Sequence, residues 1–106
     1  MNPVAPMALT LVLLTATVAG AQEKPILVGS VTRAALKAPP FSEWFDGPYT
    51  RYQPDPASVD RLRPLLAGVS VEAYLGTWCG DSRRQIPRLI RLLDLAAFDH
   101  KDLALV

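Results

Sequence analysis

The sequence predicts an α/β domain whose C-terminal half is a strand–helix–strand unit. Three observations carry this. Val69 to Leu75 alternates, with Val71, Ala73 and Leu75 on one face, as a half-buried strand does. From about Asp81 to Ala97 the apolar positions Ile86, Leu89, Ile90, Leu93 and Ala97 recur at helical spacing. Leu103-Ala104-Leu105-Val106 then begins a second strand after the polar turn Asp99-His100-Lys101-Asp102. Two strands joined through a helix must run parallel, with a right-handed crossover.

The first 21 residues read as an address. None of the chain's 11 Lys+Arg or 10 Asp+Glu lies before Gln22, and Met7–Val18 is a run of apolar and small hydroxyl residues. A bilayer-spanning helix needs about 20 apolar residues, so the run has the length of a signal-peptide core. Ala19-Gly20-Ala21 follows as an A-x-A cleavage site. The segment before Met7 carries no Lys or Arg, and the alternative is an uncleaved anchor. The expectation is residues 1–21 as signal peptide, export to the periplasm or another extracytoplasmic space, and no stable membrane span after cleavage.

Residues 22–56 are expected to form an irregular, aromatic-rich extension. Ile26-Leu27-Val28 has the makings of a short strand, and Pro39-Pro40 stops any helix there, since proline lacks an N–H and restricts its predecessor. Phe41, Trp44, Phe45, Tyr49 and Tyr52 cluster around an Asp46-Gly47-Pro48 turn. Such a loop either offers a binding surface or wraps a small core, and the second reading is favoured because aromatics bury large areas. Residues 57–106 form the remaining unit. Asp55-Pro56 or Ser58 can cap a helix over Val59–Leu66 whose apolar stripe is Leu62, Leu65 and Leu66. Pro64 keeps it short or kinked, and Gly68 ends it.

Composition excludes several functions. A net charge of +1 supplies no field for nucleic acid. One Cys and one His cannot assemble an internal disulfide or a multi-cysteine zinc site, so no metal is expected. His100 reads as a surface-turn residue, Asp94 and Asp99 show no pairing for acid–base work, and Arg83, Arg84, Arg88 and Arg91 read as a solvated helix face. An anionic partner such as glutathione is the functional alternative for these arginines.

Cys79 is the one residue placed for chemistry. It stands between a strand end and a helix start, where unpaired N–H groups and the positive dipole end favour a thiolate. Arg83 and Arg84 would lower its pKa further, and Asp81 would oppose them. Gly80 permits a tight turn beside the sulfur, and Trp78 would shield one side of it. A buried core thiol is the bland alternative.

Gly76-Thr77-Trp78-Cys79-Gly80-Asp81-Ser82 resembles the active-site turn of the thioredoxin-like thiol–disulfide oxidoreductases, whose usual motif is Trp-Cys-Gly-x-Cys. Cys79 matches the nucleophilic first cysteine, Trp78 and Gly80 match its neighbours, and Pro87 matches the proline that kinks the family's active-site helix. From about Phe41, including Trp44-Phe45 and Tyr52-Gln53-Pro54, the chain is similar to exported bacterial members carrying Trp-Cys-Gly-Asp-Ser. The resemblance implies a thioredoxin-like fold and an active site of Cys79, Trp78, Gly80, Asp81 and Ser82.

Two departures limit the carry-over. Ser82 stands where the family has its resolving cysteine, so the implied chemistry is monothiol exchange through a mixed disulfide, with release by an external thiol. Exported proteins with disulfides, or glutathione, are the implied partners, and no cofactor is required. The family also continues with another helix, an antiparallel strand pair, a terminal helix and a cis-proline loop opposite the cysteine. The expected fold is therefore incomplete, the N-terminal βαβ part only. A non-catalytic binding module or an inactive truncated fragment is the alternative function.

Overall fold

The structure is a computed structural model that describes residues 25–106. The signal-peptide reading of residues 1–21 lies outside them. The order is α1 (Arg33–Lys37), α2 (Ser42–Arg51), α3 (Pro56–Leu65), β1 (Val71–Ala73), α4 (Gly80–Leu95), a 3-10 turn (His100–Asp102) and β2 (Leu103–Leu105). β1 and β2 pair in parallel with Val71 opposite Leu103 and Ala73 opposite Leu105. The fold is a mixed α/β unit with two parallel strands around one helix. Among the described residues no helix is long and apolar enough to cross a membrane.

The core gathers Leu36, Phe45, Ile86, Ile90 and Leu105, one side chain or more from α1, α2, α4 and β2. Ala73, Leu75 and Leu103 pack against it from the sheet. The alternation of the first strand holds, with Glu72 and Tyr74 outward, although pairing is confined to three residues. Ile86, Ile90 and Leu93 of α4 are buried as the helical period requires. Ala97 is not part of that helix. Its φ is +57°, so it turns the chain out of α4, while Ala96 and Phe98 take the buried positions.

From Arg33 onward the stretch expected to be irregular holds two helices. α1 begins at Thr32, whose hydroxyl accepts the Ala35 N–H at 3.1 Å, and it stops before the cis Pro39–Pro40 peptide. The helix α2 then runs straight through Gly47-Pro48, where a turn was expected. Phe41, Phe45, Tyr49 and Tyr52 are spaced four, four and three residues apart, which is a helix face. Burying Phe45 completely, with Tyr49 stacked on it at 5.7 Å between ring centroids, outweighs the hydrogen bond that Pro48 cannot make. Ile26–Val28 is not a strand. Only Val31 reaches the sheet, through an antiparallel bridge to Leu105 with a 2.9 Å hydrogen bond.

α3 starts three residues earlier than its apolar pattern suggested. Asp55 caps it by accepting from the Ser58 N–H at 3.2 Å and the Ser58 hydroxyl at 2.9 Å, and Pro56 occupies the first turn, where its missing N–H costs nothing. Val59 is the buried residue of this helix; Leu65, expected in the stripe, is 72% exposed. The inward set is Val59, Leu62 and Leu66, from which Leu65 is rotated away.

Candidate active site at the start of α4

Cys79 is the N-cap of α4. Its carbonyl accepts the Arg83 N–H at 3.0 Å, the first turn of the helix, and its own N–H donates to the Gly76 carbonyl at 2.9 Å. The turn from β1 is closed a second time by Ser82, whose hydroxyl oxygen accepts the Gly76 N–H at 3.1 Å. A hydroxyl that accepts there still has its own proton to give, and the sulfur is the neighbour that can take it. Cys79 as a residue is partly exposed, and its sulfur is open to solvent.

The backbone N–H of Ser82, then that of Asp81, then the Ser82 hydroxyl favour the thiolate and hold Cys79 below the usual thiol range. Desolvation and the charge of Asp81 work the other way and lose. This is the anion-stabilising end of a helix, as the strand-to-helix position predicts.

The flanking arginines are engaged elsewhere than on the sulfur. Arg84 pairs with Asp81 at 2.6 Å on the surface, so each offsets the other's effect on the thiol. Arg83 donates from Nε to the Thr77 carbonyl at 2.7 Å and lays its guanidinium over the Trp44 ring at 5.8 Å. Trp78 does not pack inward. It is 71% exposed, and its indole folds back over Gly76, where a Cβ would stand only 2.9 Å from Cε2. Gly80 leads into the helix with open space around it.

Thr77 was missed as a site residue. It is buried, and its hydroxyl oxygen accepts the Leu27 N–H at 3.2 Å, which ties the N-terminal segment to the cysteine turn. No pattern in the sequence marks a contact across 50 residues. The arginine series on α4 is only partly a solvated face, with Arg84 and Arg88 exposed and Arg83 and Arg91 half-buried. α2 lies over it, with Arg83 on Trp44, Arg88 on Tyr52 at 5.8 Å and Arg91 on Tyr49 at 5.3 Å.

Asp94 sits at the far end of α4, in a structural ion pair away from the cysteine turn. Arg33 grips both its oxygens, with Nη1 to Oδ1 at 2.6 Å, and the Tyr49 hydroxyl donates to it as well. His100 Nε2 lies 3.6 Å from Asp94 and 3.2 Å from Arg33 Nη1, so this surface-turn residue joins the same cluster. Fifteen residues of helix separate Asp94 from Cys79, about 22 Å at 1.5 Å per residue, which is too far for proton exchange with the thiol. Among the described residues no group of three or more His, Cys, Asp or Glu side chains converges as a metal site would require. Compared with protein-family models, curated proteins and solved structures, the chain matches none of them.

Proposed function

We propose that the chain is a thioredoxin-like, exported thiol–disulfide exchanger that works through one sulfur, Cys79. The observation that carries the reading is Cys79 at the N-cap of a 16-residue helix, with the N–H groups of Ser82 and Asp81 and the Ser82 hydroxyl favouring its thiolate. The order β1, cysteine turn, α4 with a buried Pro87, then a parallel β2 supports the thioredoxin-like part of it.

In the proposed step the thiolate attacks one sulfur of a substrate disulfide. The Cys79–sulfur bond forms, the substrate S–S bond breaks, and the leaving sulfur takes the bonding pair and then a proton from water. The protein carries the mixed disulfide until an external thiol, glutathione or the substrate's second cysteine, attacks it. Ser82 cannot take that resolving role. It serves the thiolate and the turn instead.

The test is incubation of the purified chain with glutathione disulfide, read by intact mass. A single adduct that disappears in Cys79→Ser and is removed by added thiol is the expected result. A folded chain that forms no adduct overturns the reading. A second reading, a binding module without turnover, is favoured by Ser82 in the resolving position; it predicts capture of a partner that Cys79→Ala leaves unchanged.

A further inference from the structure

The side of α4 that faces α2 is lined by four guanidinium groups. Arg51 comes from the end of α2, and Arg83, Arg84 and Arg88 come from the first half of α4. Together with Trp44, Arg51, Arg83 and Arg84 border an open groove of about 410 Å³ that reaches Gly80, the residue beside Cys79. A second hollow of about 280 Å³ lies alongside, sharing Arg51 and Arg84 and adding Arg88.

Three features make this groove a receptor for negative charge. Among the described residues, Arg84 alone of the four has a carboxylate within ion-pair distance, its neighbour Asp81. Arg83 and Arg88 lie over the rings of Trp44 and Tyr52, so their planar forks are ordered before anything binds and less entropy is lost in binding. Arg51 is laid across Gly47, where an added Cβ would stand 3.0 Å from its Nη1, so the missing side chain makes the room. Against these four cations Glu43 is the single acidic residue in the lining.

We infer that the groove between α2 and α4 binds the carboxylates of a small anionic disulfide and so selects the substrate that meets Cys79. The inference rests on the reading of Cys79 as the nucleophile. The larger hollow has the size of a small-molecule site. The arginine forks match carboxylates in geometry as well as charge. The chemistry is the exchange step already written: the anionic half bound in the groove either stays on Cys79 as the mixed disulfide or leaves as its thiolate.

The experiment compares two disulfide probes on the full chain, a dithiobis(nitrobenzoate) carrying a carboxylate on each half and an uncharged dipyridyl disulfide. Each rate is divided by that of the same chain unfolded in urea, which removes the probes' intrinsic difference. The folded chain is expected to prefer the anionic probe by about tenfold at low salt, with the preference lost at high salt. Arg51→Gln with Arg88→Gln should abolish that preference and leave the neutral probe's rate within about twofold. Arg51→Lys with Arg88→Lys should retain most of it, which separates lost charge from lost folding.

A preference absent in the native chain, or unchanged in the Gln pair, overturns the groove. A neutral probe that reacts no faster at neutral pH with the folded chain than with the unfolded one overturns the nucleophile reading instead. The ratio of the two probes still reports on the groove in that case.

Discussion

Arg33 and Asp94, 61 residues apart, form a two-pronged ion pair that fastens the start of α1 to the last turn of α4. Tyr49 of α2 donates to the same carboxylate, so three helices meet at one side chain. The side chains are 25% and 17% exposed, between a surface pair and a buried one. Exposed pairs contribute about 0–1 kcal/mol and breaking buried ones costs about 3–5. Asp94→Asn should therefore lose about 2 kcal/mol, measured by urea unfolding. A loss below about 0.5 kcal/mol would mean that the helices hold together without the pair.

The same carboxylate gives the fold an acid limit. Burial alone would raise the Asp94 pKa, but the hydrogen bonds from Arg33 and Tyr49, and the charges of Arg33 and His100, outweigh it and leave the carboxyl below its usual value. The contribution is complete above the unfolded value of about 3.9 and disappears as pH falls through the lower folded value. Stability measured from neutral pH downward should fall more steeply below about pH 4 in the native chain than in Asp94→Asn.

Phe45 is fully buried between α1 and α4 and carries the packing of α2. Phe45→Ala should cost about 3–5 kcal/mol, which a unit this small will not survive. Ile90→Val removes one methylene from the same core and should cost about 1 kcal/mol, measurable by thermal or urea unfolding. If both variants unfold like the native chain, α2 does not pack on α4 in solution.

Asp55 is the cap that starts α3. Asp55→Ala should cost about 1 kcal/mol, and Asp55→Asn, which keeps an accepting oxygen, much less. The comparison by circular dichroism during urea unfolding isolates the cap from the charge. Equal losses in the two variants would assign the effect to charge.

The strand–helix–strand unit was legible because its signals are local. Period-two alternation marks Val71–Leu75, helical spacing marks Ile86 to Leu93, and Cys79 falls between them. α2 was hidden by a conflict in which Gly47-Pro48 argues for a turn while the aromatic spacing argues for a helix, and packing against α4 decides. The arginines of α4 read as solvated because they oppose its apolar stripe, and nothing local tells that aromatics of α2 lie against Arg83, Arg88 and Arg91. The partners of Asp94 were hidden for the same reason, since Arg33 and Tyr49 reach it only through the fold.

The Cys79 thiol supplies the most direct test, through its alkylation rate against pH. Its pKa is lowered by the N–H groups of Ser82 and Asp81 and by the Ser82 hydroxyl, so the rate midpoint should lie below the value of about 8.5 expected in urea. Ser82→Ala removes one of those donors, and also the acceptor for the Gly76 N–H, and should move the midpoint up. Asp81→Asn removes the opposing charge and frees Arg84 from its pair, so the midpoint should move down. The linked stability has the sign of a depressed acid. Relative to Cys79→Ser, the native chain should gain stability as pH rises from the folded midpoint toward about 8.5, and lose that gain as pH falls back through it. A midpoint equal to that of the urea-unfolded chain, unmoved by either substitution, would mean that the start of α4 does not act on the sulfur.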